Sequence, residues 1–163
     1  MLALTAIGKD VKNVAGYNLL EPLADLDYLQ KQGINGPIWA LIAFDSHDYE
    51  IPKTTGGTQV TRENLIETIL NAQLANGGFA LTGEEADADM TAMAIQALAP
   101  YYDSDKAVKD AVDKALSCLS AIQNNDGSFS SKDINGVYVT NAESCAQVIT
   151  ALTALKIDPA KDA

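Results

Sequence analysis

The residues best placed to do chemistry lie just ahead of an alanine-rich apolar stretch. They form the run Glu84-Glu-Ala-Asp-Ala-Asp89, followed by Met90-Thr-Ala92. Carboxylates gathered in this way are candidates for acid catalysis, with Asp89 as the proton donor and Asp87 as the group that orients it. A plainer role competes with that one. An acidic residue at a helix start accepts backbone N–H bonds and complements the helix dipole, worth about 0.3–1 kcal/mol. Capping is the favoured reading. A second link, Asn141-Ala-Glu-Ser144, keeps one acidic residue, Glu143.

Other reactive side chains are sparse. The single histidine, His47, sits in the loop Asp45-Ser-His-Asp-Tyr49, where a lone imidazole reads as a surface residue rather than a metal ligand. Cys118 and Cys145 each fall in an apolar helical stretch and read as buried thiols, with a disulfide between them as the alternative. Gly56-Gly57 belongs to the longest irregular stretch, Tyr49 to Thr58, and a glycine pair alone is weak evidence for an anion cradle. No metal or cofactor is expected. The net charge of −11 argues against a nucleic-acid partner and against docking on an anionic bilayer. No apolar run approaches the roughly 20 residues of a membrane span.

The elements that position these residues repeat. Gly36-Pro-Ile-Trp-Ala-Leu-Ile-Ala-Phe44 matches Met90-Thr-Ala-Met-Ala-Ile-Gln-Ala-Leu98 and Ser144-Cys-Ala-Gln-Val-Ile-Thr-Ala-Leu152, in two steps of 54 residues. Small residues alternate with larger apolar ones at helical spacing, which suits closely packed inner helices. An amphipathic, outer type of helix precedes each block: Pro22 to Gln30, Thr61 to Gln73, and Lys106 to Gln123. Pro22 suits a first turn, Thr61 and Asp105 suit N-caps, and glycines follow at 77 and 127. Hairpin repeats are therefore expected over roughly 18–46, 61–101 and 105–157, in a single all-α unit covering 1–163. Ala3-Leu-Thr-Ala6 is the same run as Ala151-Leu-Thr-Ala154. Residues 1–8 thus read as the end of a further repeat, and the chain as part of a longer parent.

Each of the last two outer helices runs into a shared turn, Gln73-x-x-x-Gly77-x-Phe79 and Gln123-x-x-x-Gly127-x-Phe129. This resembles the Gln-Trp repeat of squalene and hopene cyclases, with Phe in place of Trp. The resemblance implies the α/α toroid of terpene cyclases, protein prenyltransferase β-subunits, complement thioester domains and cobalamin carriers, here a partial toroid of about three hairpins. The turn reads as structural: an amide to tie the loop, a glycine for the bend, an aromatic to fill the gap. The first unit lacks it.

Within that resemblance, Asp87 to Ala92 looks like the Asp-x-Asp-Asp-Thr-Ala motif of class II terpene cyclases, whose middle Asp protonates an alkene or epoxide. Met90 replaces the third Asp. Carbocation chemistry also calls for aromatic walls, and Trp39 is the one large aromatic within the inner blocks apart from Phe44 near a helix end. The zinc set of prenyltransferases and the Cys-Gly-Glu-Gln element of thioester domains have no match. The run from Asp89 to Leu98 is similar to cobalamin carriers and to modules of large secreted or surface bacterial proteins. The function expected is a non-enzymatic ligand-binding or scaffolding module of such an extracellular protein. Its partners would be an unidentified small molecule or protein and the rest of the parent chain, with contacts at Asp87, Asp89, Trp39, Asn141, Glu143 and Asn35. The alternative is a cyclase-like or prenyltransferase-like enzyme.

Overall fold

A computed structural model describes residues 1–132 and 135–161. The chain divides into two compact units, Met1–Ile69 and Leu70–Ala163.

In the first unit, α1 (Leu2–Ala6) is followed by α2 (Leu26–Leu29), α3 (Asn35–Asp45) and the start of α4 (Arg62–Asn71). The expected outer helix from Pro22 to Gln30 is broken. A 3₁₀ turn at Glu21–Leu23 ends at Ala24, Asp25 is extended, and α2 makes one turn before a second 3₁₀ turn at Gln30–Gln32. Two things outweigh helix propensity here. Backbone N–H groups of Leu26 and Val60 bond Thr58 O and Ala24 O, each at 2.9 Å. The Asp25 carboxylate caps the new start, accepting from Asp27 N and Tyr28 N. The apolar stripe survives the break, because Leu26 and Leu29 are buried.

Glycine sets the approach of α3 to α2. A Cβ on Gly36 would stand 2.1 Å from the Leu29 carbonyl oxygen. The core of this unit is Ile38, Leu41, Phe44 and Leu65, all without exposed surface. Arg62 closes the loop after α3, donating to Asp45 at 2.7 Å and to Tyr49 O at 3.1 Å.

The second unit holds α5 (Ala88–Leu98), α6 (Lys106–Ile122), β1 (Ser130–Lys132), β2 (Tyr138–Thr140) and α7 (Ala142–Ala154). Thr61 and Asp105 start α4 and α6. Thr61 and Asn64 exchange bonds between backbone N–H and side-chain oxygen in both directions, and Asp105 accepts from Ala107 N and Val108 N. Helix α6 buries one stripe, Val108, Ala111, Val112, Ala115, Cys118 and Leu119, and leaves a charged face outside. Helix α5 is buried nearly all round, from Ala88 to Leu98. This is the outer and inner pairing expected of a toroid hairpin.

The all-α expectation meets one exception. β1 and β2 pair antiparallel, Ser130 with Thr140, Ser131 with Val139 and Lys132 with Tyr138. They occupy extra length between Phe129 and Asn141, which exceeds the link from Phe79 to Asp87 by four residues. The shared turn repeats at 50 residues and the inner helices at 54, and the hairpin absorbs that difference.

Candidate functional site

The Gln-x-x-x-Gly-x-Phe turn decides where the inner helices begin. Gln73 Nε2 donates to Gly77 O at 2.8 Å, and Gln123 Nε2 donates to Gly127 O at 2.9 Å. Both glycines have φ near +85°, a region only glycine enters without strain. The aromatic that follows is buried, Phe79 completely and Phe129 nearly so. Its carbonyl then receives the cap residue of the next helix: Asp87 N to Phe79 O at 2.9 Å, and Asn141 N to Phe129 O at 3.0 Å. The motif's amides thus bond within their own turns, its glycines supply the bend and its aromatics fill the interior.

One helical turn further on, a second tie repeats. Thr91 Oγ1 accepts the Phe79 N–H at 3.0 Å, and Cys145 Sγ accepts the Phe129 N–H at 3.3 Å. Thr91 and Cys145 are 54 residues apart. The Thr of the cyclase-like run is thus a loop anchor, and Cys145 is its counterpart. Both cysteines are free thiols; Cys118 is buried as expected and burial pushes its thiol up from the ordinary value, whereas Cys145, in the first turn of α7, is only half-buried.

These ties bring the acidic ends of α5 and α7 together. Asp87 caps α5, accepting from Met90 N at 2.8 Å. Asn141 caps α7 in the same way, accepting from Glu143 N and Ser144 N, while its amide donates to Ser131 Oγ at 2.7 Å. Asp89 faces the neighbouring helix, where its Oδ2 accepts from Ser144 Oγ at 3.1 Å. Burial raises the proton affinity of Asp89, the negative charges of Asp87 and Glu143 add to the effect, and the Ser144 hydrogen bond opposes it. Further along the two helices Gln147 Nε2 donates to Gln96 Oε1 at 3.0 Å.

Four of the expected contact residues, Asp87, Asp89, Asn141 and Glu143, therefore share one locality. Trp39 and Asn35 belong to the first unit. There they line an open, mostly apolar pocket of about 430 Å³ with Tyr28, Leu29, Gly36 and Ala40. Sequence reasoning missed Ser144, whose only signal is its place at the Met90 position of the repeat. It also missed Glu85, which Lys132 and Tyr138 of the β-hairpin bind and hold below the usual carboxylate value.

Zinc of the prenyltransferase kind does not fit these residues. His47 is exposed and lies beside Tyr49, the two rings tilted with centroids 5.4 Å apart. Cys118 is packed in the core, and no group of three His, Cys, Asp or Glu side chains among the described residues is placed to hold a metal.

Two inner helices entered through the same Gln-Gly-Phe turn and paired along one side are toroid architecture. The prenyltransferase alpha-alpha toroid domain matches residues 20–162. The chain belongs to that family. Neither the curated proteins nor the solved structures contain a match to it. No helix of this toroid domain, among the described residues, is long and apolar enough to cross a membrane.

Proposed function

We propose that this toroid domain is a non-enzymatic ligand-binding or scaffolding module of a larger secreted or cell-surface bacterial protein. One observation carries the reading: the carboxylates that an acid catalyst would need are engaged in holding α5 and α7. Asp87 is spent on the α5 cap and Asp89 on Ser144 of the facing helix. Met90, at the place of a third carboxylate, is buried and apolar. The ligand surface would be the polar N-terminal ends of α5 and α7, Asp87, Asp89, Asn141 and Glu143, and, in the first unit by itself, Asn35 at the repeat position of Asp89 with Trp39 one turn further on.

A second reading has one observation in its favour. The raised proton affinity of Asp89 is in the direction a general acid needs. In that reading Asp89 protonates an isoprenoid alkene and Asp87 orients it. Incubating the protein with linear isoprenoids and analysing the extract by mass spectrometry separates the two. Absence of a cyclised product is the result expected. A product that disappears in Asp89→Asn would replace the module by the enzyme.

A further inference from the structure

The longest irregular stretch, Tyr49 to Thr58, is held in shape by the side chain that follows it. Gln59 Oε1 accepts from Thr54 N at 2.9 Å, and its Nε2 donates to Pro52 O and Val60 O, each at 3.0 Å. Thr54 Oγ1 adds a bond to Gly56 O. The end of the loop is tied to α2, where Thr58 N donates to Asp27 Oδ2 at 3.2 Å. Gly57 allows that approach, since a Cβ there would stand 2.2 Å from Asp25 Oδ1. Facing the loop, Pro22 stiffens the 3₁₀ turn Glu21–Leu23, and Asn18 Nδ2 donates to Glu21 Oε1 at 3.3 Å.

Between these two walls lies an open cleft of about 440 Å³, within the roughly 300–1,000 Å³ of small-ligand sites. All its lining residues fall between 21 and 56, inside the first unit, and none belongs to the acidic ends of α5 and α7. Its apolar surface comes from Pro22, Pro52 and the ring of Tyr28, which is 53% exposed. Its polar groups include the carboxylates of Glu21 and Asp25 and the hydroxyls of Tyr28 and Thr55. Among the described residues, Glu21 Oε2 and Asp25 Oδ2 accept no hydrogen bond from the protein, and the two hydroxyls make none.

The charges around the cleft select a neutral ligand. An anion would meet Glu21, Asp25 and Asp27. A cation would meet Lys53 in the wall and Lys31, whose Nζ stands 5.4 Å from the centre of the Tyr28 ring. What remains are carboxylates that only accept, hydroxyls that donate and accept, and a ring face beside two prolines. The complement of that set carries several O–H donors close together and a bare C–H face. A pyranose has both: neighbouring hydroxyls that reach one carboxylate as a pair, and axial hydrogens that pack on an aromatic ring. We infer that the cleft between Glu21–Tyr28 and Pro52–Gly56 binds a neutral oligosaccharide, a role independent of whether the acidic ends of α5 and α7 bind a ligand. Tyr28 carries a sugar ring, Glu21 and Asp25 accept from its hydroxyls, and Thr55 bonds beside them. The open sides of the cleft let the sugar chain continue in both directions.

The test titrates the intact chain with cellohexaose, maltohexaose and chitohexaose in turn, followed by backbone amide NMR shifts. Saturable binding of at least one is expected, with the shifted amides around Glu21 to Tyr28 and Pro52 to Thr58. Tyr28→Ala, which removes the platform, should weaken it at least tenfold. Glu21→Gln should weaken it about threefold, a charged acceptor becoming a neutral one. Gly56→Leu fills the cleft and should also weaken binding at least tenfold. A Cβ at Gly56 meets nothing within 4 Å, so the fold accepts the change, and unchanged circular dichroism and melting would show it. No saturable binding of any of the three sugars overturns the inference. So does binding that Gly56→Leu leaves unchanged, because the sugar would then sit elsewhere. Tighter binding of hexalysine at the same amides would also overturn it, by making a cation the ligand.

Discussion

Asp89 and Ser144 meet side chain to side chain at 3.1 Å, one from the first turn of α5 and one from the first turn of α7, 55 residues apart. Ser144 is fully buried and Asp89 is partly so. The contact fastens together two helices whose remaining interface is largely alanine and aliphatic side chains. It also works against the burial that raises the proton affinity of Asp89.

The pH dependence follows from the raised proton affinity of Asp89. A carboxylate that binds its proton more tightly folded than unfolded makes its ionisation a cost to folding. The cost is absent below the ordinary carboxylate range and fully present above the raised value, so the contribution of Asp89 falls as pH rises between the two. Asp89→Asn retains an oxygen for Ser144 and removes the charge. It should be neutral or stabilising at pH 7 and show no such advantage at pH 3, as measured by urea denaturation at both.

Ser144→Ala leaves a half-buried carboxylate without its donor. A loss of about 1–3 kcal/mol at pH 7 is expected. Most of that loss should vanish in the Asp89→Ala background, because removing both partners leaves nothing unsatisfied. A double-mutant cycle that showed simple additivity would refute the coupling.

The repeated turn yields an unequal pair. Gln73 makes two hydrogen bonds with its amide and Gln123 makes one. Gln73→Ala should cost about 1–2 kcal/mol, and Gln123→Ala roughly half of that or less. Gly77→Ala should be worse than Gly127→Ala for a related reason. Both positions have left-handed φ, costing about 1 kcal/mol for alanine, but only at Gly77 would the new methyl meet backbone, the Lys114 carbonyl oxygen. Chemical denaturation of the four variants ranks them directly.

Thr91 and Cys145 are interchangeable in principle, since each accepts the N–H of its turn phenylalanine. Cys145→Thr should leave stability unchanged or raise it, a hydroxyl being the better acceptor. Thr91→Val should lose about 1–3 kcal/mol, because it orphans the buried Phe79 N–H. Hydrogen exchange at Phe79 would speed up in step with that loss.

Much of this was legible along the chain. The 54-residue recurrence from Gly36 to Met90 to Ser144 locates α3, α5 and α7, because a helix reports its buried face through residues three and four apart. Asp105 and Asp87 announce their caps locally, since a cap bonds N–H groups within three residues of itself. The β-hairpin leaves only an indirect trace, the mismatch between a 50-residue and a 54-residue period, and that mismatch says nothing of strands. The break at Asp25 leaves none. It depends on strand-like pairing of Ala24 and Leu26 with Thr58 and Val60, more than thirty residues away, and helix periodicity through Leu23, Leu26 and Leu29 runs straight across it.

The amino-acid order alone determined α3 to α7, their inner or outer character and the toroid family, because each is written in short-range periodicity and in turn chemistry that repeats. Only the folded arrangement decided what the acidic residues do. Asp87 and Asp89 are two positions apart on one helix, yet one is turned back on its own backbone and the other outward to Ser144 on α7. Proton affinity is set by burial and by charges within a few ångströms, and those neighbours come from parts of the chain that meet only when it is folded.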